Sequence, residues 1–190
     1  AEVSLGALRH NVEEMQRALP DGCGLLGVVK ADAYGHGASE IAAALRECGC
    51  RYLAVACPQE ALALRQAGET MPILILGAVD AAFASDMAAN DITLSVECAE
   101  KGRALSAALR GGERLRIHLK LDTGMGRAGV WHEKADEVFP KILSLPHLKI
   151  NGIFSHLSSA DTDRDYTFGQ VEIFRKVVCK YGSPDMLLHI

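Results

Sequence analysis

Lys30 closes an apolar run, Leu25, Leu26, Val28 and Val29, and the chain then turns through small residues with Gly35 and Gly37 into a helical pattern. Lysine forms Schiff bases when desolvated. The carboxyl end of a parallel barrel strand is where (β/α) folds keep their reactive groups. The competing reading is a lysine that snorkels from a strand end. Farther on, His118, Lys120 and Asp122 alternate with Ile117, Leu119 and Leu121. In a strand those three polar residues share a face. A lone lysine buried there is costly unless it is paired or chemically changed, and a Lys120–Asp122 charge pair is the simplest remedy. Gly124 and Gly126 then permit a tight backbone path that brings Arg127 to the strand end. A guanidinium never loses its charge and can hold an anionic phenolate; the alternative is a surface arginine in a loop. His156 lies at the carboxyl end of the sixth expected strand, after Ile153-Phe154-Ser155, a place where a lone histidine is more often a satisfied core residue than a catalyst.

These residues need strands to carry them and helices to cover the strands. Ser4 caps a predicted helix with Leu8, Val12, Met15 and Leu19 at the helical period, and Pro20-Asp21-Gly22 stops it. Ser39 is a candidate opening for the next helix, with Ile41, Leu45 and Cys48 on one face. Pro58 fits the first turn of a helix that Gly68 ends. Further helices are expected over 80–89, 97–109, 133–143 (where Pro140 should kink or split it) and 166–181. Strands are expected up to Lys30 and over 52–56, 72–77, 92–95, 115–121, 148–154 and 186–190. Strand follows strand at intervals of roughly 20 to 35 residues with an amphipathic helix between, the pattern of parallel βαβ units. The fold class is therefore α/β. A barrel needs eight such units, and the sequence displays about seven strands. A doubly wound open sheet is the runner-up, but no Gly-x-Gly-x-x-Gly follows the first strand, so a dinucleotide site lacks support.

The chain has 190 residues, 49% hydrophobic and 23% charged, with a formal net charge of −4. This is a globular composition with room for a core. No basic stripe suggests nucleic acid, and no apolar run approaches the roughly 20 residues of a membrane span. The six cysteines have no Cys-x-x-Cys spacing, which speaks against a metal site and for reduced thiols in a cytoplasmic protein.

The decapeptide Val28-Val29-Lys30-Ala31-Asp32-Ala33-Tyr34-Gly35-His36-Gly37 resembles the cofactor-lysine motif of alanine racemases, which use pyridoxal 5′-phosphate (PLP) on a (β/α)8 TIM barrel. The stretch from His118 to Gly129 is similar to the same family's Lys-x-Asp-Thr/Ser-Gly-Met-Gly-Arg. Gly152-Ile153-Phe154-Ser155-His156-Leu157 resembles its third strand-end motif, continued by Phe168, Gln170 and Phe174, for which packing is the expected role. His189 resembles the histidine just before the family's phosphate-binding Asn-Ser-Ala segment. The resemblance runs from Glu2 to His189.

The resemblance implies a set of roles. Lys30 carries PLP as a Schiff base and is one of the bases, Tyr34 reaches the phosphate, and Arg127 contacts the PLP 3′-oxygen and the substrate carboxylate. His156 lies beside the cofactor ring. Lys120 is a candidate for the carbamylation found in some members. Apart from the resemblance, the residues themselves leave His36 in the motif loop open to helix-start hydrogen bonding as much as to a cofactor role, put His118 in a barrel layer and His10, His132 and His147 at the surface, and pack Trp131 on the Arg127 loop. The implied activity is interconversion of L- and D-alanine for cell-wall peptidoglycan, in a homodimer, with neither nucleic acid nor membrane as partner. The expectation for residues 1–190 is the amino-terminal barrel domain cut before the eighth strand, inactive alone, because the family's second base is a tyrosine from a carboxy-terminal β-domain of the partner. Two alternatives share the barrel: a serine racemase of the vancomycin-resistance type, and a non-catalytic PLP-homeostasis protein.

Overall fold

A strand with Val, Ile and Leu at consecutive positions has no polar face to show to water, so it needs cover on both sides. In the computed structural model, which describes residues 2–190, Tyr52–Val55, Ile73–Ile75 and Ile92–Val96 are buried at every position. The chain forms two compact units. One runs from the amino terminus to Val79 and includes Asn90–Thr93; the other comprises Asp80–Ala89 and Leu94–Ile190.

The first unit contains α1 (Leu5–Ala18), β1 (Leu26–Val28), α2 (Lys30–Gly35), α3 (Ala38–Glu47), β2 (Tyr52–Val55), α4 (Pro58–Gln66) and β3 (Ile73–Ile75). β1, β2 and β3 pair in parallel, Leu26 opposite Tyr52 and Leu53 opposite Ile73. Ser4 caps α1 as expected, its hydroxyl accepting from the Ala7 amide. Met15 departs from the apolar face assigned to it: it is 57% exposed, and in α1 only Val12 is buried. Nor does Ser39 open α3. The Ala38 amide is taken instead by the Asp32 carboxylate at 2.7 Å, so an aspartate upstream does the serine's work. Pro58 does open α4.

The second unit begins with a 3-10 turn (Ala81–Phe83) and α5 (Ala84–Ala89). β4 (Ile92–Val96) gives its first two residues to the first unit and the rest to this one. Then come α6 (Ala99–Ala108), β5 (Leu115–Asp122), β6 (Val130–Trp131), α7 (Ala135–Leu143), β7 (Leu148–Phe154), α8 (Arg164–Tyr181) and β8 (Leu187–His189). The strands pair in parallel in the order β4-β5-β7-β8, with β6 added to the end of β5. The strands expected from the sequence are all present; β6, two residues long, is additional. Pro140 neither splits nor ends α7. It is exposed, so the carbonyl one turn back can turn to water.

Register in the second unit is set by one irregularity. Ile117 of β5 faces Ile150 of β7, but His118 faces Gly152, so Asn151 is an extra residue. A bulge of this kind re-aims every side chain beyond it. Gly152 and Phe154 thereby face His118 and Lys120, and Phe154 in turn faces His189 of β8. Among the described residues no helix is long and apolar enough to cross a membrane.

Candidate cofactor site

Lys30 is the first residue of α2, separated from β1 by Val29 alone, and is half-buried. The segment after it is not an ordinary helix. Ala31, Asp32, Ala33 and Tyr34 have φ of 52°, 55°, 51° and 56°, the left-handed region, without a glycine among them. Each such residue costs ~1–2 kcal/mol, so the run persists only because its surroundings fix it. The Ala33 amide donates to the Val29 carbonyl at 3.0 Å and the Gly37 amide to the Asp32 carbonyl at 3.0 Å. His36 places a ring nitrogen 2.8 Å from the Ala33 carbonyl, a bond back into the turn rather than at a helix start. The turn stacks Tyr34 over Lys30, with the ammonium 5.9 Å from the ring centroid. Tyr34 is 61% exposed, so its hydroxyl can meet a ligand.

The other candidates sit in the second unit. The Asp122 carboxylate, buried at the end of β5, accepts from the Gly124 amide at 2.9 Å and the Gly126 amide at 3.1 Å. That fixes the root of the loop on which Arg127 stands exposed. The Gly124 φ of 137° and the Tyr166 hydroxyl, which donates to the Gly124 carbonyl at 2.6 Å, explain the glycine: a Cβ would lie 2.5 Å from that hydroxyl. The Lys120 ammonium lies 5.6 Å from the Phe154 ring centroid, within cation–π range. His156 is the second residue past β7 and is exposed. Trp131 is 41% exposed. Its ring lies 4.4 Å from that of His132, and its indole nitrogen donates to Glu133.

Two polar features escaped the sequence reading. Gln170, expected to pack, is buried, yet its amide ties two loops together. It donates to the Thr123 hydroxyl at 3.2 Å and the His156 carbonyl at 3.5 Å, and accepts from the Ser158 amide at 3.0 Å. Thr123 also meets the Ser155 hydroxyl at 2.8 Å. The loops bearing Arg127 and His156 are thus held by one side chain. Phe174 does pack, at 8% exposure, whereas Phe168 is 54% exposed beside the Arg164 guanidinium. The available signal was a polar residue one turn from Phe174 on the buried face of α8.

The second feature is a histidine pair. His118 Nδ1 and His189 Nε2 are 2.9 Å apart, and His189 stacks on Phe154 with ring centroids 4.8 Å apart. Gly152 lets the His118 ring cross β7, since a Cβ there would lie 2.6 Å from the ring. Burial pushes His189 down to about 4, and burial with the neighbouring His189 pushes His118 down to about 3. Both rings are therefore neutral at pH 7, and one donates to the other.

Comparison with known proteins gives this arrangement a family. Residues 3–190 match the family described as "Alanine racemase, N-terminal domain". The chain is 44% identical over 162 residues to an alanine racemase of Geobacter sulfurreducens, covering 85% of this chain and 42% of that one. A solved alanine racemase of Clostridium difficile 630 superposes with a TM-score of 0.87 at 32% identity over 96% of this chain and 52% of that one. A histidine racemase of Leuconostoc mesenteroides superposes with a TM-score of 0.88 at 27% identity over 98% of this chain and 51% of that one. The chain spans about half the length of the curated relatives it matches. The fold is the α/β barrel class of alanine racemase amino-terminal domains. A family model over nearly the whole chain, relatives above 40% identity and the shared fold agree, and the chain belongs to the alanine racemase family of PLP-dependent isomerases.

Proposed function

We propose that the protein carrying this chain interconverts L- and D-alanine with PLP held on Lys30. The observation that carries this reading is the placement of Lys30 at the end of β1, half-buried and locked in a left-handed turn under Tyr34. The donor set suits the cofactor: a primary amine for its aldehyde, a tyrosine hydroxyl for its phosphate, and a guanidinium for its phenolate. PLP, when bound, supplies the electron sink that acidifies the substrate Cα–H. Lys30 anchors the cofactor and, once displaced as a free amine, takes the proton from Cα or returns it on one face. Arg127 holds the anionic ring oxygen and the substrate carboxylate, and Tyr34 bonds the phosphate. His156 lines the ring, and Gln170 fixes the loops of both Arg127 and His156. Lys120 as a carbamate would turn a cation into an anion able to orient Arg127. The protein would act as a cytoplasmic homodimer on a small amino acid.

Alanine is preferred over serine or histidine because relatives at 41–44% identity are named alanine racemases, whereas the histidine racemase stands at 27%. The test uses the full-length protein. Borohydride reduction and peptide mapping should place the pyridoxyl group on Lys30, and racemisation of alanine should exceed that of serine and histidine. A label on Lys120, or none, would reject the assignment of Lys30.

A further inference from the structure

Glu60 stands in the first turn of α4, three residues after the cap residue Cys57. A glutamate there ordinarily reaches back to the amide of its own cap. In this chain the carboxylate goes elsewhere. One oxygen accepts from the Ala56 amide at 2.7 Å, just beyond the end of β2. The other accepts from the Ala31 amide at 2.7 Å. That amide belongs to the peptide linking Lys30 to the first left-handed residue.

We infer that Glu60 is a positioning residue for Lys30, setting the direction of its side chain by pinning the Lys30–Ala31 peptide to the end of β2. The inference rests on the reading of Lys30 as the cofactor lysine. Four consecutive residues near φ +50° would relax toward right-handed or extended backbone if released. Relaxation would rotate the peptide after Lys30 and swing its side chain. The hydrogen bonds within the turn run among its own residues, Val29 and α3. Glu60 adds a tie to the neighbouring strand, and the tie is charge-assisted at both oxygens. The positive end of α4 steadies the carboxylate that makes it.

The test is Glu60→Gln in the full-length, PLP-loaded protein. Glutamine keeps the length but has one accepting oxygen, so one of the two amides loses its partner. Three quantities are read: hydrogen exchange at the Ala31 amide, the rate at which Lys30 of the stripped protein recaptures PLP, and thermal unfolding. Exchange at Ala31 should quicken about tenfold and recapture slow about tenfold, with unfolding nearly unchanged. A residue that only caps α4 would give the opposite result, with lowered unfolding temperature, faster exchange along α4, and Ala31 and PLP recapture as in the parent; that result overturns the inference. Glu60→Asp, which keeps the charge but cannot span both amides, should reproduce the Ala31 effect if Glu60→Gln folds poorly, and an unchanged Ala31 amide in it also overturns the inference. Failure of the underlying reading looks different: PLP would then be absent from Lys30 in the parent protein, whatever Glu60→Gln does to Ala31.

Discussion

Around Lys30 the chain leaves its strand and enters four left-handed residues held by short-range hydrogen bonds and one carboxylate. Around Lys120 and His189 the backbone is ordinary strand, and side chains on β5, β7 and β8 are placed by register. The first region stores strain in the main chain. The second spends its specificity on a bulge, a missing Cβ at Gly152 and a buried histidine pair. The contrast suits the roles proposed: the lysine that must be released and recaptured follows a strand and enters a strained, pinned turn, while Lys120 and the histidine pair, which support other side chains, sit on regular sheet. Substitutions should therefore fail differently in the two regions, through chemistry in one and through stability in the other.

The largest effect belongs to Lys30. Lys30→Ala in the full-length protein should abolish covalent PLP and lower alanine racemisation by about a thousandfold or more, since both the anchor and one base are lost. Its unfolding free energy should stay within about 0.5 kcal/mol of the parent, because a half-exposed lysine contributes little packing. Absorbance after borohydride reduction and urea unfolding separate the two quantities.

Gly152→Ala should do the reverse. The added Cβ would lie 2.6 Å from the His118 ring, forcing the ring away and breaking its bond to His189. Overpacking plus an unmade buried hydrogen bond costs about 3 kcal/mol. A loss below 1 kcal/mol in urea unfolding would mean that the ring moves freely and that register does not govern this region.

What the sequence disclosed follows the same division. The buried strands were legible because consecutive Val, Ile and Leu need cover on both faces. Lys30 was legible because a lysine ending such a run is chemically conspicuous. The left-handed turn was not: Ala-Asp-Ala-Tyr has no glycine to mark positive φ, and the carboxylate that pins its first amide belongs to the next helix but one. The bulge at Asn151 and the reach of His118 over Gly152 depend on pairing between strands far apart in the chain. Gln170 and Glu60 were hidden for a related reason. Each looks like one more helix residue until its partner arrives, from Thr123 47 positions away or Ala31 29 positions away.

Acid should weaken the second region before the first. His189 and His118 sit near 4 and 3 in the folded chain, below the usual ~6.5 of the unfolded state. Their stabilising contribution is complete above pH 6.5 and is lost as pH falls toward 4 and then 3, because only the unfolded chain takes up those protons. Between pH 7 and pH 5, where most carboxylates stay ionised, unfolding free energy should drop by roughly 3 kcal/mol. His118→Gln should remove about half of that slope. A stability flat from pH 7 to pH 5 would show that the pair is charged or open to water in the folded protein.

The smallest effect is also the sharpest probe of the first region, because its sign is unusual. Ala31 is exposed, with φ 52° and ψ 48°. Glycine normally destabilises a helix by about 1 kcal/mol relative to alanine, since the unfolded chain gains freedom. At Ala31 the alanine Cβ already costs ~1–2 kcal/mol by crowding the following carbonyl, and glycine removes that cost. Ala31→Gly should therefore stabilise the protein by about 0.5 kcal/mol, the relief slightly exceeding the entropy lost. The same change at Ala44, buried in right-handed α3, should destabilise by about 1 kcal/mol or more. Paired urea melts of the two variants give the comparison directly. Equal losses at both positions would mean that the turn after Lys30 is not left-handed in solution, and the case for strain beside the lysine, with the need for Glu60 to hold it, would fall.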